Sequence, residues 1–314
     1  MTVPEYSLIP FEDSLQPTWD GVVTSSRNGN LLHLRDYINY HANRFDERSV
    51  IIRKDGKSLA VFPCNRVDDR LISHSGLTYA GLIYGNGFRA ADALAVVELL
   101  GEYVRDQNCR TLSYKAIPHI FHRYPADEDL YALHRIGAQL VRRDLSAAVQ
   151  LANRIKLSDS RKNTIRKSVK HGVVIREGDF LADFYSLLTV VLATHESRPV
   201  HSLDELEFLT TRFPGGIRLF GAFDQDHLLA AALIYDLGTV AHSQYMASSE
   251  DGKAVGALDF LLAHLLDVVF SDKQYFSFGI STEDQGRYLN EGLVFQKEGF
   301  GGRGVAHDFY EWNL

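Results

Sequence analysis

The sequence predicts a mixed α/β protein, with mixed sheets of the α+β type, built as two similar halves. At 314 residues the chain is long for one domain, because domains usually run to about 100–200 residues. Each half alternates short apolar runs typical of strands with stretches of helical periodicity, an order that favours sheets with helices on their faces. We therefore expect two domains, covering residues 1–148 and 149–314.

Composition describes a globular protein. Hydrophobic residues make up 45% and charged residues 23% of the chain, which provides enough apolar mass for sizeable cores. No apolar run approaches the roughly 20 residues of a membrane-spanning helix, and the first residues lack the pattern of a secretory signal. A net charge of -7 argues against general nucleic-acid binding. We expect a cytoplasmic protein with no membrane span.

Cysteine and histidine spacing gives no sign of a metal site. Cys64 and Cys109 are the only cysteines, and we expect both to be buried as small apolar side chains. None of the thirteen histidines follows the His-x-x-x-His spacing of metalloproteases, so no metal is predicted.

The first half should alternate strands and helices. Lys54-Asp55-Gly56 predicts a tight turn between two strands. The stretch RLISHSGLTYAGLIYG predicts a strand interrupted by glycines, with His74 and Tyr79 as substrate-binding candidates. Tyr79 has a ring that can stack on a base or a sugar, although a bulged edge strand is an equally good reading. The expected helices cover residues 31–45, 91–106 and 127–136, and the expected strands cover residues 49–53, 58–67, 70–85, 111–117 and 139–151.

A basic segment, SDSRKNTIRKSVKHG, opens the second half. Ser158 or Asp159 can cap a helix that Gly172 ends. One face of this helix is basic at successive i+4 positions, which suggests a site for phosphates in an acidic protein. A solvated helix face is the alternative. The basic positions are Lys162, Arg166 and Lys170.

The central feature of the second half is the strand TVAHSQYMASS, followed by a glycine-bearing loop, EDGKAVGA, and a helix. Alternation places His242, Gln244 and Met246 on one face of the strand, and Tyr245 on the other. The loop glycines fall where a strand gives way to a helix N-terminus, and such a point favours a phosphate. Before this strand we expect a helix over 182–194 and a hairpin of 217–224 with 227–238.

Two further groups of polar residues are candidates for the site. The loop from residue 194 to 203 could hold the phosphate or sugar hydroxyls of an acceptor, while Ser202 and Glu205 could instead form a capping box. Near the C-terminus, Lys297 could contact substrate or pair with Glu298. The candidates in the two groups are His195, Glu196, Arg198 and His201, and then Glu283, Asn290 and Lys297.

From Ala182 onward the order of elements resembles the GNAT acyltransferase fold. In that family a loop after the central strand holds the pyrophosphate of acetyl-CoA, and the corresponding residues here are Lys253, Ala254, Val255, Gly256 and Ala257. The ending LNEGLVFQKEGFGG resembles the family's next signature and implies that Asn290 contacts the coenzyme. Met246 is implied as a further coenzyme contact.

Nearly the whole chain resembles the FemABX-like branch of the GNAT proteins. The motifs SRKNTIRKSVKHG, SHSGLTYAGL, RPVHSLDEL, HSQYMASSE and GALDFL are similar to a bacterial subgroup associated with surface-polysaccharide biosynthesis. The resemblance implies two tandem GNAT-like domains, the second binding acyl-CoA as co-substrate and the first contributing to the acceptor site. It also implies an acceptor that is a nucleotide-linked amino sugar, with dTDP as the expected nucleotide, destined for O-antigen or a related polysaccharide. A homodimer is compatible with this reading.

The implied reaction is attack of a neutral amine on a thioester, which needs a proton acceptor and a donor to the developing oxyanion. By resemblance, a backbone N–H between Tyr245 and Ala247 serves the oxyanion. His242 is the first candidate for proton transfer, because imidazole titrates near neutral pH, and Tyr245 and His201 complete the catalytic candidates. The substrate-binding candidates are His74, Tyr79, Arg166, Lys170, His195, Glu196, Arg198, Gln244, Glu283 and Lys297.

Two other functions are compatible with this sequence. The basic helix is compatible with aminoacyl transfer from charged tRNA in the manner of the FemABX enzymes. A non-catalytic binding module, in which both coenzyme sites have decayed, is the second alternative.

Overall fold

The computed structural model describes residues 4–194 and 196–314. Its contacts divide the chain into two compact units, one of Met1–Asp144 with Ala306–Leu314 and one of Leu145–Val305. The division falls near the boundary expected at residues 148 and 149, but the C-terminal segment belongs to the first unit. Strand β9 is Gln139–Gln150 and strand β17 is Arg303–Asn313.

The first unit contains helices and two sheets. Its helices are α1 (Gln16–Ser25), α2 (Arg35–Asn39), α3 (Ala90–Asp106) and α4 (Glu128–Arg135). Its further strands are β1 (Tyr6–Pro10), β2 (Asp46–Glu47), β3 (Val50–Lys54), β4 (Lys57–Phe62), β5 (Asn65–Val67), β6 (Arg70–Ile72), β7 (Ile83–Tyr84) and β8 (Thr111–Lys115). The strand orders are β1-β3-β4-β7 in one sheet and β17-β8-β6-β5-β2 in the other.

The tight turn between β3 and β4 is confirmed. Asp55 and Gly56 have φ values of 49° and 75°, the left-handed pair that a two-residue hairpin turn requires. The helix expected over residues 31–45 is wrong, because only α2 is α-helical there. The Asn30 side chain accepts a hydrogen bond from the Leu32 amide, and the backbone of residues 31–33 follows this cap into a short 3₁₀ turn instead.

The continuous strand expected over residues 70–85 is also wrong, since it forms only at its ends, as β6 and β7. His74 between them has a φ of 35°, which no strand residue adopts. The ammonium group of Lys115 donates to the carbonyl oxygens of His74 and Leu77 at 3.0 and 2.8 Å. These carbonyls therefore find their partner in a side chain, and the segment stays irregular.

The second unit has one main sheet with the order β10-β11-β12-β13-β14-β9. Its strands are β10 (Val174–Glu177), β11 (Ile217–Asp224), β12 (His227–Asp236), β13 (Val240–Ser248), β14 (Tyr275–Ile280), β15 (Thr282–Glu283) and β16 (Tyr288–Leu289). Its helices are α5 (Asp159–Lys170), α6 (Leu181–Ala193), α7 (Leu203–Arg212), α8 (Glu250–Val255), α9 (Ala257–His264) and α10 (Glu291–Gly299).

The core of the second unit lies between this sheet and α9. Ala230 and Ala232 of β12 belong to the same buried cluster as Leu261 and Leu262 of α9. Small side chains on the strand let the leucines of the helix approach the sheet closely. The expected basic helix is confirmed as α5, capped by the Ser158 side chain.

No helix in the described ranges is both long and apolar enough for a membrane crossing. Within the same ranges, no cluster of three His, Cys, Asp or Glu side chains has the arrangement of a metal site.

Two helical glycines of the first unit should respond oppositely to substitution by alanine. A Cβ on Gly101 of α3 would lie 2.4 Å from the ring of Trp312, whereas a Cβ on Gly21 of α1 would meet nothing within 4 Å. We expect Gly101→Ala to lower stability by about 1–3 kcal/mol through overpacking. Gly21→Ala should raise it by up to about 1 kcal/mol through helix propensity.

Thermal midpoints measured by calorimetry test this pair of substitutions. A Gly101→Ala midpoint at or above that of the unmodified protein would contradict the close packing of α3 on Trp312.

Candidate functional site

The strands β13 and β14 separate in the middle of the second unit. They pair in parallel only at Val240, Ala241 and His242 of β13, and the last pair joins His242 to Ser277. β13 then continues to Ser248 along β12 alone. In an antiparallel pair, every second residue directs its N–H and C=O groups away from the partner strand. The stretch from residue 243 to 248 therefore presents main-chain groups toward the gap that β14 leaves.

A β-bulge accompanies this separation. Leu233 of β12 pairs with Tyr245, while its neighbour Ile234 pairs with Ser243, so Gln244 is the extra residue. A bulge bends its strand and interrupts the alternation of side chains. The predicted shared face of His242, Gln244 and Met246 consequently does not continue through the strand.

The segment after β13 is helical, so the expected glycine-bearing loop is wrong. Ser249 caps α8 by accepting a hydrogen bond from the Gly252 amide at 3.0 Å. Gly256, at a φ of 78°, ends α8 in the left-handed conformation, and α9 begins at the next residue. Ala254 is exposed and Ala257 is buried.

The basic helix α5 packs directly on this junction. A Cβ on Gly256 would lie 2.2 Å from the Thr164 side chain. Only glycine therefore leaves enough room for α5 to pack at this position. The Ser168 hydroxyl donates to the Val255 carbonyl at 2.8 Å. Glycine at position 256 thus serves helix packing as well as a turn.

Arg161 is the basic residue of α5 that reaches the site. Its Nη1 donates to both carboxylate oxygens of Asp259, at 2.7 and 2.8 Å, and its guanidinium lies 5.2 Å from the centre of the Phe300 ring. Arg166 and Lys170, which we expected to bind phosphates, are exposed, and Arg166 donates to Asn163 on its own helix. The side of α5 that faces the junction bears Arg161, Thr164 and Ser168. Phosphate binding by Arg166 and Lys170 therefore stays a prediction.

A cavity of about 950 Å³ lies beside the free stretch of β13. This size falls within the range of small-molecule and cofactor sites. Four predicted coenzyme contacts line it, together with the predicted substrate residue Glu283. The lining residues are Arg161, Thr164, Val191, Leu192, Ser197, Met246, Ala247, Ser248, Gly252, Lys253, Gly256, Leu258, Asp259, Glu283, Asn290, Gly292, Leu293 and Gln296. We call this cavity the β13 cleft.

Charges in the β13 cleft are largely compensated. Arg161 pairs with Asp259, and the Lys253 ammonium lies 2.7 Å from Glu250. Asn290 caps α10 by accepting from the Leu293 amide at 3.0 Å, and it donates to Glu283 at 2.8 Å. Asn290 therefore has a structural role in addition to its place in the cleft wall.

Tyr245 and His201, two of the predicted catalytic residues, lie next to each other. The Tyr245 hydroxyl lies 2.7 Å from His201 Nδ1 and accepts a hydrogen bond from the Val200 amide at 3.2 Å. Burial raises the pKa of Tyr245 above its usual value. The capping box of Ser202 and Glu205 is confirmed, and it fixes the backbone immediately after His201.

His242 lies where β13 and β14 part. Its Nδ1 is 3.1 Å from the Ser277 hydroxyl, and the ring is partly exposed. An imidazole at this point can exchange protons with a ligand between the strands.

Lys297 is buried, with 3% of its surface exposed. Its ammonium group donates to the carbonyls of Gly279 and Ile280 at 2.9 and 2.6 Å, and to the Ser281 hydroxyl at 2.8 Å. The ammonium group of Lys297 is thus bound by neutral acceptors and forms no ion pair with Glu298. Burial lowers the pKa of Lys297 to about 8.

The loop after α6 borders a second cavity, of about 460 Å³. Glu196 and Arg198 line it, and Ser197 lines both this cavity and the β13 cleft. The two cavities therefore adjoin. His195, a further substrate candidate, lies outside the described residues.

His74 and Tyr79 do not form an open binding surface. His74 is fully buried and Tyr79 is 2% exposed. The Tyr79 ring stacks on Phe121 at 4.5 Å between centres, and its hydroxyl accepts from Asn30 at 3.1 Å. The expectation that Tyr79 stacks on a ligand is wrong, because its ring is already covered by the core of the first unit.

Three solved structures share this architecture over nearly their whole length. FemX superposes with a TM-score of 0.71 at 12% identity, over 98% of this chain and 97% of that one. L-PGS from Bacillus licheniformis gives a TM-score of 0.63 at 12% identity, over 95% of this chain and 91% of that one. A tandem GNAT protein from the clavulanic acid biosynthesis pathway gives 0.53 at 12% identity, over 98% of both chains.

The chain has a tandem GNAT-like fold. The expected fold class and the FemX-like arrangement are thereby confirmed. No protein-family model matches the sequence, and neither does any curated protein.

The pH dependence of stability should report the burial of Lys297. Between its folded pKa of about 8 and the unfolded value of about 10.5, the unfolded chain binds more protons, so stability rises with pH. Relative to Lys297→Met, the free energy of unfolding of the unmodified protein should increase by about 2 kcal/mol from pH 7 to pH 10.

Urea unfolding at the two pH values tests this. Lys170→Met, at an exposed position, is the control and should show no such difference. If the difference in the free energy of unfolding between the unmodified protein and Lys297→Met did not change with pH, the amine of Lys297 could not have a lowered pKa.

Proposed function

We propose that this protein transfers an acyl group from acyl-CoA to the amine of a nucleotide-linked amino sugar. The observation that supports it most is the separation of β13 from β14 after His242, beside a cleft of about 950 Å³. Free main-chain groups at such an edge can pair with an extended ligand as a further strand would. The amide-containing arm of a coenzyme A thioester is a ligand of that shape.

In this proposal, the β13 cleft holds the coenzyme. The arm lies along residues 243–248, and the phosphates lie at the junction of α8 and α9, whose residues Lys253, Gly256 and Leu258 line the cleft. Lys253 can exchange its exposed partner Glu250 for a phosphate, because an exposed ion pair is worth at most about 1 kcal/mol.

The reaction then proceeds by direct transfer. The amine nitrogen of the acceptor attacks the thioester carbon, and a backbone N–H on the open edge of β13 donates to the developing oxyanion. The tetrahedral intermediate collapses to an amide as the C–S bond breaks and coenzyme A leaves as thiolate. His242 takes the proton from the attacking nitrogen.

The second cavity, lined by Glu196, Ser197 and Arg198, is the proposed acceptor site. The Arg198 guanidinium suits an acceptor phosphate, and the shared residue Ser197 connects the cavity to the β13 cleft. The pair of Tyr245 and His201 fixes the chain just beyond this loop, so Tyr245 has a positioning role here.

The direct test is an assay of coenzyme A release. The purified protein is incubated with acetyl-CoA or a longer acyl-CoA and a panel of amino sugar nucleotides, and free thiol is measured. We expect thiol release only when both substrates are present. Transfer from charged tRNA without any thiol release would favour the aminoacyl-transfer alternative, and the absence of both transfer and CoA binding would favour a binding module.

Reversing one charge in the cleft should weaken coenzyme binding. Lys253→Glu is expected to raise the Kd for CoA by about tenfold, because a charge-assisted contact to phosphate becomes a repulsion. Lys170→Glu, which changes an exposed lysine outside the cleft, is the matched control and should bind as the unmodified protein does. Calorimetric titration measures both, and equal affinities would remove the phosphates from this junction.

Removing the imidazole of His242 should slow the transfer step and leave coenzyme A binding unchanged. We expect His242→Gln to lower kcat by about 10²-fold or more, with an unchanged Kd for CoA. An unchanged kcat in this variant would exclude His242 as the proton acceptor.

A further inference from the structure

The first unit contains a cavity of about 610 Å³ that plays no part in the proposed reaction. It lies where β7 ends and α3 begins, and the segment after α1 forms its other wall. The lining residues are Ser25, Ser26, Arg27, Asn86, Phe88, Arg89, Ala90, Arg123, Tyr124 and Glu128. We call it the α3 cavity.

Three arginines and one carboxylate line the α3 cavity, and the carboxylate is already neutralised. Glu128 Oε1 accepts from both terminal nitrogens of Arg27, at 3.0 and 2.9 Å, while its second oxygen lies 3.2 Å from the Tyr84 hydroxyl. Arg27 and Glu128 together therefore add no net charge to the cavity.

Arg89 and Arg123 leave the cavity with an excess of two positive charges. Both are exposed, and neither takes part in an ion pair within the described ranges. Arg123 donates to the Thr24 carbonyl at 2.8 Å, which orients its guanidinium without neutralising it. Two guanidinium groups lining one concave site attract a dianion more strongly than separate surface charges would.

Arg27 is a lining arginine whose side chain the fold itself holds in place. Arg27 is 8% exposed, its guanidinium donates to the Pro125 carbonyl at 2.7 Å, and it lies 5.0 Å from the centre of the Tyr84 ring. These contacts fix the Arg27 side chain in the cavity wall.

The first turn of α3 also favours the binding of an anion in this cavity. Ala90, the first residue of this 17-residue helix, lines the cavity. Amide groups at a helix N-terminus favour an anion. The Asp92 carboxylate accepts a hydrogen bond from the Arg89 amide at 2.7 Å at this end of the helix. The negative charge of Asp92 is compensated by the Lys54 ammonium, 2.6 Å away.

We propose that the α3 cavity is a binding site for a small phosphorylated molecule, held through a phosphate or diphosphate group by Arg89 and Arg123. The site is independent of the proposed acyl transfer, because none of its residues lines the β13 cleft. It gives the first unit a ligand of its own.

The test uses inorganic pyrophosphate as the probe and hydrogen–deuterium exchange of the full chain as the readout. We expect pyrophosphate to slow exchange over residues 85–92 in the unmodified protein. Arg89→Gln combined with Arg123→Gln should abolish that protection and raise the calorimetric Kd by about tenfold or more. Exchange over residues 249–259 is read in the same samples and reports separately on the β13 cleft.

The matched control removes the same charge elsewhere in the first unit. Arg105→Gln combined with Arg135→Gln changes the last turns of α3 and α4. These positions lie roughly 20 Å along α3 and roughly 10 Å along α4 from the residues that line the cavity, and the variant should retain the protection. Each single substitution at Arg89 or Arg123 should raise the Kd about threefold or more, so the result does not depend on the double variant folding. No protection over residues 85–92, or equal protection in the double variant, would overturn the proposal.

Discussion

The end of pairing between β13 and β14 at His242 is the constraint on which the second unit's site depends. A buried strand edge without a neighbour leaves main-chain donors and acceptors that must find other partners. The bulge at Gln244 bends β13 where the partner strand leaves it. The ammonium of Lys297 holds the end of β14 on the other side, through the carbonyls of Gly279 and Ile280. Contacts on β13 and on β14 therefore both maintain the gap between these two strands.

The junction of α8 and α9 shows how one residue can serve two requirements. Gly256 is needed for its left-handed backbone, and it is needed again because Thr164 of α5 leaves no room for a Cβ. Arg161 of α5 and Asp259 of α9 form an ion pair that is mostly buried. Breaking one partner of such a pair leaves an uncompensated charge. The basic helix is thus part of the cleft wall through Arg161 and Thr164, while Lys167 and Lys170 are exposed.

Sequence periodicity predicted the second unit well where local chemistry decides the outcome. The basic helix, its Ser158 cap, the hairpin of β11 and β12 and the capping box at Ser202 all depend on neighbours in sequence. The glycines of the segment after β13 predict a loop, but the Ser249 cap starts a helix there and Gly256 ends it. Arg161 was missed as a cleft residue because i+4 spacing emphasised Lys162, Arg166 and Lys170, and only tertiary packing decides which face of α5 is covered. Tyr79 was misassigned for the same reason, since its cover, Phe121, is distant in sequence.

A crystal structure of the protein with coenzyme A would show directly whether the gap beside β13 is the coenzyme site. We expect the pantetheine arm between β13 and β14, hydrogen-bonded to main-chain groups of residues 243–248, with the diphosphate at the junction of α8 and α9 and the sulfur near His242. Coenzyme A bound elsewhere, with the gap beside β13 empty, would contradict it.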